Sequence, residues 1–275
     1  MKKKHDINLE RVESIPYQSL FIRRNKMEDW ADILVWIAGA VALLGVFLSD
    51  AAPTALVALI EAVNCVAVVA GVGLSWASSI FCGPTAEFER IGGFVDNGYE
   101  TKILTKPIEF EYYSNGVAQK GVKRLSANCF ENCFFTENVS EKMTPRIISV
   151  NLMFLVLFIC LAIINFTAAN ISALFQLLAS SVLLENLLKH LYFRHCMHEI
   201  LERFKLVFST MEHDSDDFKA HSVYLIMKYE KTLSHYNQPL DSNIFGKLNP
   251  KLSKEWDSMK KRYGIAELPA EEIHQ

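Results

Sequence analysis

The sequence predicts an all-α membrane protein: four transmembrane helices in two hairpins, a small cytoplasmic insert between them and a long cytoplasmic helical tail. Three observations carry that prediction. Apolar stretches run from Ala31 to Leu48, Thr54 to Phe81, Ile147 to Asn165 and Ile171 to Leu188, each long enough to cross roughly 30 Å of hydrocarbon as a helix at about 1.5 Å per residue. None of the four contains a lysine or arginine, although the chain carries 28 of them in 275 residues. Only Ser49 to Pro53 separates the first two stretches and Phe166 to Asn170 the last two, so each pair reads as a hairpin.

The placement of positive charge sets the orientation. Every Lys and Arg lies before the first hairpin, between the hairpins or after the second, which puts both termini and the middle segment in the cytoplasm and only the two turns outside. The chain divides into a basic N-terminal segment (1–28), hairpin 1 (29–82), a cytoplasmic insert (83–146), hairpin 2 (147–188) and a cytoplasmic helical extension and tail (189–275). The start is basic, but the first apolar stretch begins too late and runs too long for a cleaved signal peptide, so it is expected to be retained. A net charge of −3 provides no global basic field for nucleic acid, so a site of that kind has to be a local patch. Of six cysteines, Cys129, Cys133 and Cys196 fall on the reducing side, which argues against a disulfide framework.

Taken in order, the N-terminal segment mixes Lys2 to Lys4, Arg11, Arg23, Arg24 and Lys26 with Pro16, Tyr17, Leu20, Phe21 and Ile22. It reads as a juxtamembrane anchor near anionic head groups, or as a latch on the cytoplasmic face of the bundle. Asp29, Trp30 and Asp32 open the first span with ordinary interfacial chemistry. The second span is more informative. Glu61, Asn64, Val68, Gly71, Ser75 and Ser78 recur every three or four residues and share one helical face. Small residues there permit close helix packing. An acidic side chain at membrane depth costs about 2.5 kcal/mol or more, and normally faces a wet cavity or a partner. Glu61, Asn64, Gly71 and Ser75 are therefore the candidate pore-lining residues, with helix packing as the competing reading.

Gly83-Pro84 predicts the end of the second span, and Gly92-Gly93 and Asp96-Asn97-Gly98 read as turns. Lys120 to Met143 reads as one or two short helices. The insert gathers Lys102, Lys120, Lys123 and Arg124 with Tyr112, Tyr113, Asn115, Asn128 and Asn132. Cations suit phosphates, tyrosine faces suit base stacking and Asn amides suit base edges; an ordinary solvated surface beside a small aromatic core fits the same composition. Cys129 and Cys133 lack a partner pair at zinc spacing and read as buried thiols.

The third and fourth spans carry weaker polar stripes, Asn151 and Asn165, then Ser172, Gln176 and Ser180. No Gly or Pro occurs from Ile147 through Gln238, so the fourth helix is expected to run on through Lys189 to Met211. Met197, Ile200, Leu201, Phe204, Val207, Phe208 and Met211 give that extension an apolar face. His190, His195, Cys196 and His198 are a weak metal signal, and no metal or other cofactor is expected. The tail is read as helical with breaks at Pro239, Pro250 and Pro269, docking through Leu248, Leu252, Trp256 and Tyr263. There is no Walker loop, dinucleotide fingerprint, HExxH pair or nucleophile elbow, so the chain is read as a non-enzyme.

This order of parts, with Ile91-Gly92-Gly93-Phe94-Val95-Asp96-Asn97, Tyr112-Tyr113-Ser114-Asn115 and Asn128-Cys129-Phe130-Glu131-Asn132-Cys133-Phe134-Phe135-Thr136 in the insert, resembles the four-transmembrane effectors encoded beside nucleotidyltransferases in bacterial antiphage defence. Within that group it looks most like the Hailong-type membrane effectors. The resemblance implies a homotetrameric ion channel of the bacterial inner membrane. Its partner nucleotidyltransferase would make short single-stranded DNA oligomers from dATP that hold the channel closed. Loss of the oligomer during infection would depolarise the membrane and arrest growth. In the sibling cyclic-oligonucleotide systems the signal instead activates the effector. Lys102, Tyr112, Tyr113, Lys123, Arg124, Asn128 and Asn132 are the expected ligand contacts on that reading. A non-conducting scaffold that recruits a soluble partner through the tail is the alternative from a different class.

Overall fold

The computed structural model describes residues 18–48, 53–104, 120–164, 182–236 and 238–265, and among them the protein is all-helical. We label the helices α1 (Gln18–Leu48), α2 (Thr54–Tyr99), α3 (Val122–Ile164), α4 (Val182–Thr210), α5 (Asp216–Tyr236) and α6 (Ser242–Arg262). Among the described residues α2 is the one helix long and apolar enough to cross a membrane, and its most apolar window is only 11% buried. That low burial separates it from the core helix of a soluble protein, which would be covered. The first and third expected spans form the later parts of α1 and α3. The second hairpin's turn and most of the fourth expected span lie outside the described residues, as do Tyr112, Tyr113, Asn115 and Pro269.

The chain divides into two compact units. One comprises residues 1–90 and 151–183, the other residues 91–150 and 184–275. In the first, α1 and α2 pack closely along small residues. Ala31, Ala38, Ala67 and Gly71 are buried, and a Cβ added at Gly71 would sit 3.3 Å from the Ala31 carbonyl and 3.5 Å from Leu34 and Val35. The outward surface of α2 is apolar, with Leu59, Val66, Val69, Trp76, Ile80 and Phe81 all exposed.

Gly83-Pro84 does not end the helix. A π-helical turn over Ser78–Cys82 lets the Gly83 N–H reach the Ser78 carbonyl five residues back, and α2 continues through Pro84 to Tyr99. Proline has no N–H and crowds the carbonyl four residues before it. A wider turn at that place absorbs both defects without breaking the rod. Gly92-Gly93 and Asp96-Asn97-Gly98 are likewise helical rather than turns. Two of these glycines have neighbours too close for a side chain: a Cβ at Gly92 would lie 2.8 Å from Leu104, and one at Gly98 would overlap Leu125. In the same way α3 is a single helix of 43 residues that runs through Pro145, where short helices were expected.

The second unit unites insert and tail around one core. Phe130 is its hub, with ring centroids 5.6 Å from Phe204, 5.4 Å from Phe208, 5.2 Å from Trp256 and 5.7 Å from Tyr263. Phe94, Cys129, Cys133, Phe193, Met197, Ile200, Leu252 and Ile265 complete it. The α4 helix passes Leu188 without a break, as the absence of Gly and Pro predicts, and ends before Met211. Asp241 caps α6 by accepting from the N–H groups of Asn243 and Ile244 at 2.9 and 3.1 Å. Pro250 lies inside α6 instead of breaking it. The carbonyl it leaves without a donor belongs to Gly246, which is exposed to water.

Candidate functional site

The insert's cations gather where α2 ends and α3 begins. Asp96, in the last turn of α2, is buried. Its carboxylate accepts from the Thr101 hydroxyl at 2.8 Å and from the backbone N–H groups of Ile103 and Leu104 at 2.7 and 3.0 Å. Burial by itself would raise the pKa of this acid. The two backbone donors and the hydroxyl outweigh it and hold the carboxyl below the usual range. The chain leaving α2 is thereby fixed through Leu104. On the return side, the Gly121 N–H donates to the Gly98 carbonyl at 2.8 Å, and Gly121 sits at φ 110°, a conformation that favours glycine.

Between these two anchors stands Glu100. Its Oε1 accepts from Arg124 at 2.9 Å and its Oε2 pairs with Lys120. Those two hydrogen-bonded cations, Lys120 first, hold its carboxyl below the ordinary range. Arg124 also donates to the Asn97 carbonyl at 3.4 Å. Lys102 is exposed, Lys123 is half-buried, and neither has a carboxylate partner among the described residues.

Of the expected ligand contacts, the structure thus brings Arg124 into a cationic corner with Lys120, and places Lys102 and Lys123 next to that corner in the chain. Asn132 is half-buried further along α3. Asn128 does other work. It is fully buried and its Nδ2 donates to Asn97 Oδ1 at 2.8 Å, so its amide braces α2 against α3 rather than facing a ligand. Glu100, Asp96 and Asn97 were missed as members of the corner, because a turn reading of Asp96-Asn97-Gly98 hid their side chains. A carboxylate two residues before an expected cationic contact was the available signal.

The polar face of α2 divides along its length. Gly71 and Ser78 are buried and Asn64 is half-buried, whereas Glu61, Val68 and Ser75 are exposed on the adjoining flank. Gly71 belongs to the contact with α1, where an added Cβ would be crowded against the Ala31 carbonyl, and not to the open flank.

A second polar cluster sits at the π turn. Arg24 is 5% exposed, with its guanidinium 3.3 Å from Glu28 and 3.7 Å from Glu87. The Ser78 hydroxyl lies 3.2 Å from Glu28 and 3.4 Å from the Arg24 carbonyl. Cations were expected near head groups here. This one is enclosed instead, as a guanidinium can be when carboxylates surround it.

His190 is buried with its Nε2 3.0 Å from Thr144 Oγ1. The Thr144 proton goes to the Ser140 carbonyl at 2.9 Å, so the imidazole is the donor in that pair. Among the described residues no three or more His, Cys, Asp or Glu side chains are placed to hold a metal ion. His195 is exposed, and His198 lies 3.4 Å from Glu137. No family description, curated protein or solved structure matches this chain.

Proposed function

We propose that the chain is one subunit of an oligomeric ion channel, a tetramer by resemblance, in the bacterial inner membrane, with four spans and both termini cytoplasmic. Opening is controlled by a nucleotide-derived signal bound at the insert. On the antiphage reading, a partner nucleotidyltransferase supplies a short single-stranded DNA oligomer that holds the pore closed, and loss of that oligomer depolarises the membrane. The observation that carries this is the continuity of α2. One helix bears the exposed apolar surface and the Glu61–Ser75 flank, runs through the π turn, and ends at the cationic corner of Glu100, Lys120 and Arg124. Moving a pore from 99:1 closed to 99:1 open takes about 5.5 kcal/mol of differential affinity, which several phosphates on adjacent subunits would supply. Glu61 and Ser75, with Asn64 at the edge, line the conduction path and favour cations.

The test is membrane potential, read with a voltage-sensitive dye in cells expressing the chain alone and with its neighbouring nucleotidyltransferase. Depolarisation by the chain alone, suppressed by the partner, is expected. Depolarisation only with the partner present would mean that the signal opens the pore, as a cyclic oligonucleotide would. Loss of cation preference in Glu61→Gln channels is the matching result for selectivity, and an unchanged reversal potential would remove Glu61 from that role.

A scaffold reading is favoured by one feature. Val223, Tyr224 and Met227 on α5 form an exposed apolar face, and such a face suits protein contact. Silence of the inserted protein in both dye conditions would favour it.

A further inference from the structure

We infer that Glu100 is an intramolecular stand-in for a ligand phosphate: its carboxylate occupies Lys120 and Arg124, and a phosphodiester reaches those cations by displacing it. The inference rests on the reading of the insert as a signal-binding segment, and concerns how that site is regulated. Four observations carry it.

The carboxylate engages one cation with each oxygen, Arg124 through Oε1 at 2.9 Å and Lys120 through Oε2. This is the two-oxygen contact a phosphate offers to an arginine and a neighbouring lysine. Secondly, Glu100 holds its backbone at φ 54°, the left-handed region in which glycine or asparagine is the comfortable choice. An acid in that conformation places a negative charge on the two cations at some local cost, and a site needing only a turn would do better with glycine. Thirdly, Arg124 has a second, longer contact besides Glu100, from the same guanidinium nitrogen to the Asn97 carbonyl at 3.4 Å. Asn97 is in turn braced by buried Asn128 at 2.8 Å, so the guanidinium keeps one protein contact when Glu100 leaves. Finally, the Lys120 half of the exchange is easy. Lys120 is 57% exposed and Glu100 36%, and exposed ion pairs are weak and screened by salt; Arg124, 15% exposed, is the more enclosed of the two cations.

Asp96 is not a rival for this role. Its two oxygens are taken by Thr101, Ile103 and Leu104. Lys120 and Arg124 are two cations on one carboxylate, and Lys102, two residues after Glu100, and Lys123, next to Arg124, add positive charge nearby in the chain. Occupied by Glu100, the corner is not opened by weak or singly charged anions, which do not displace the carboxylate, and it admits ligands whose several phosphates outcompete it.

The experiment measures binding of a fluorescent short oligodeoxyadenylate, and of a cyclic dinucleotide as a second probe, to the full-length protein in nanodiscs. It compares wild type with Glu100→Gln, Glu100→Asn and Arg124→Ala. Removing the competing carboxylate is expected to tighten binding about threefold or more, while Arg124→Ala weakens it at least about tenfold. Glu100→Asn suits the left-handed backbone and keeps the test valid if Glu100→Gln unfolds the corner. If Arg124→Ala loses binding while both Glu100 variants match or fall below wild type, Glu100 is a brace and the inference is overturned with the site intact. If no form binds either probe, the signal-binding reading of the insert fails, and the inference with it.

Discussion

Buried single residues set the chemistry of this protein, and His190 is the clearest case. It is enclosed beside Thr144, and burial, more than the neighbouring Arg194 charge, holds its pKa below 6.5 despite an opposing effect of the Ser140 carbonyl. A depressed imidazole pKa means that the unfolded chain takes up a proton before the folded one does. Stability is therefore full above about pH 6.5, falls as the pH drops below that value, and levels off only below the lowered folded pKa. The expected result is a loss of thermal stability between pH 7 and about pH 5 that His190→Gln largely removes, measured as unfolding midpoints across that range. An unchanged slope in the variant would put the acid sensitivity elsewhere. At this scale the candidate site was legible in part. Lys102, Lys123 and Arg124 stand out by charge, and Arg124 does lie in the cationic corner. Asn128 looked equally available, yet it is fully buried on Asn97. A polar side chain looks the same in sequence whether it faces water or another amide, and only the path of α2 beside α3 decides between them.

At the scale of elements, helices continue where local signals say stop. Gly83-Pro84, Gly92-Gly93 and Asp96-Asn97-Gly98 all mark turns by propensity, and all lie within α2. Packing overrides propensity here, because glycine provides room as well as freedom. The claim is testable at Gly98, whose added Cβ would overlap Leu125. Gly98→Ala is expected to destabilise the second unit by about 1–3 kcal/mol, although alanine is the better helix former. In a Leu125→Ala background the same change should cost much less, and chemical denaturation of the four proteins of that cycle measures the difference. Additive effects would show that Gly98 is kept for some other reason. The long apolar stretches were legible because hydrophobicity over twenty residues is a strong signal, and the unbroken α4 was legible because no Gly or Pro interrupts it. The π turn was not, since it is a compromise between Pro84 and the turns on either side of it.

Across the whole molecule, the insert and the tail fold as one unit although hairpin 2 lies between them in sequence. Phe130 from the insert packs on Phe204 and Phe208 of α4 and on Trp256 of α6. Each segment shows an apolar face by periodicity, but nothing local states that the faces meet, so this partnership was the least legible part of the fold. It also decides how the two functional readings can be separated. Truncation at residue 240 takes away Leu252, Trp256 and Ile265, all 2% exposed or less. Loss of one large buried side chain costs about 2–5 kcal/mol, so losing three would unfold the insert with the tail, and a dead truncation would say nothing about recruitment. The discriminating change is at the surface. Replacing exposed Val223, Tyr224 and Met227 together by serine leaves the core untouched and is expected to shift stability by no more than about 0.5 kcal/mol per site. A channel with that α5 face altered should still depolarise cells and still be silenced by its partner enzyme. A scaffold that recruits through α5 should lose its cellular effect while remaining folded and inserted, and that outcome would move the function from the α2 flank to the tail.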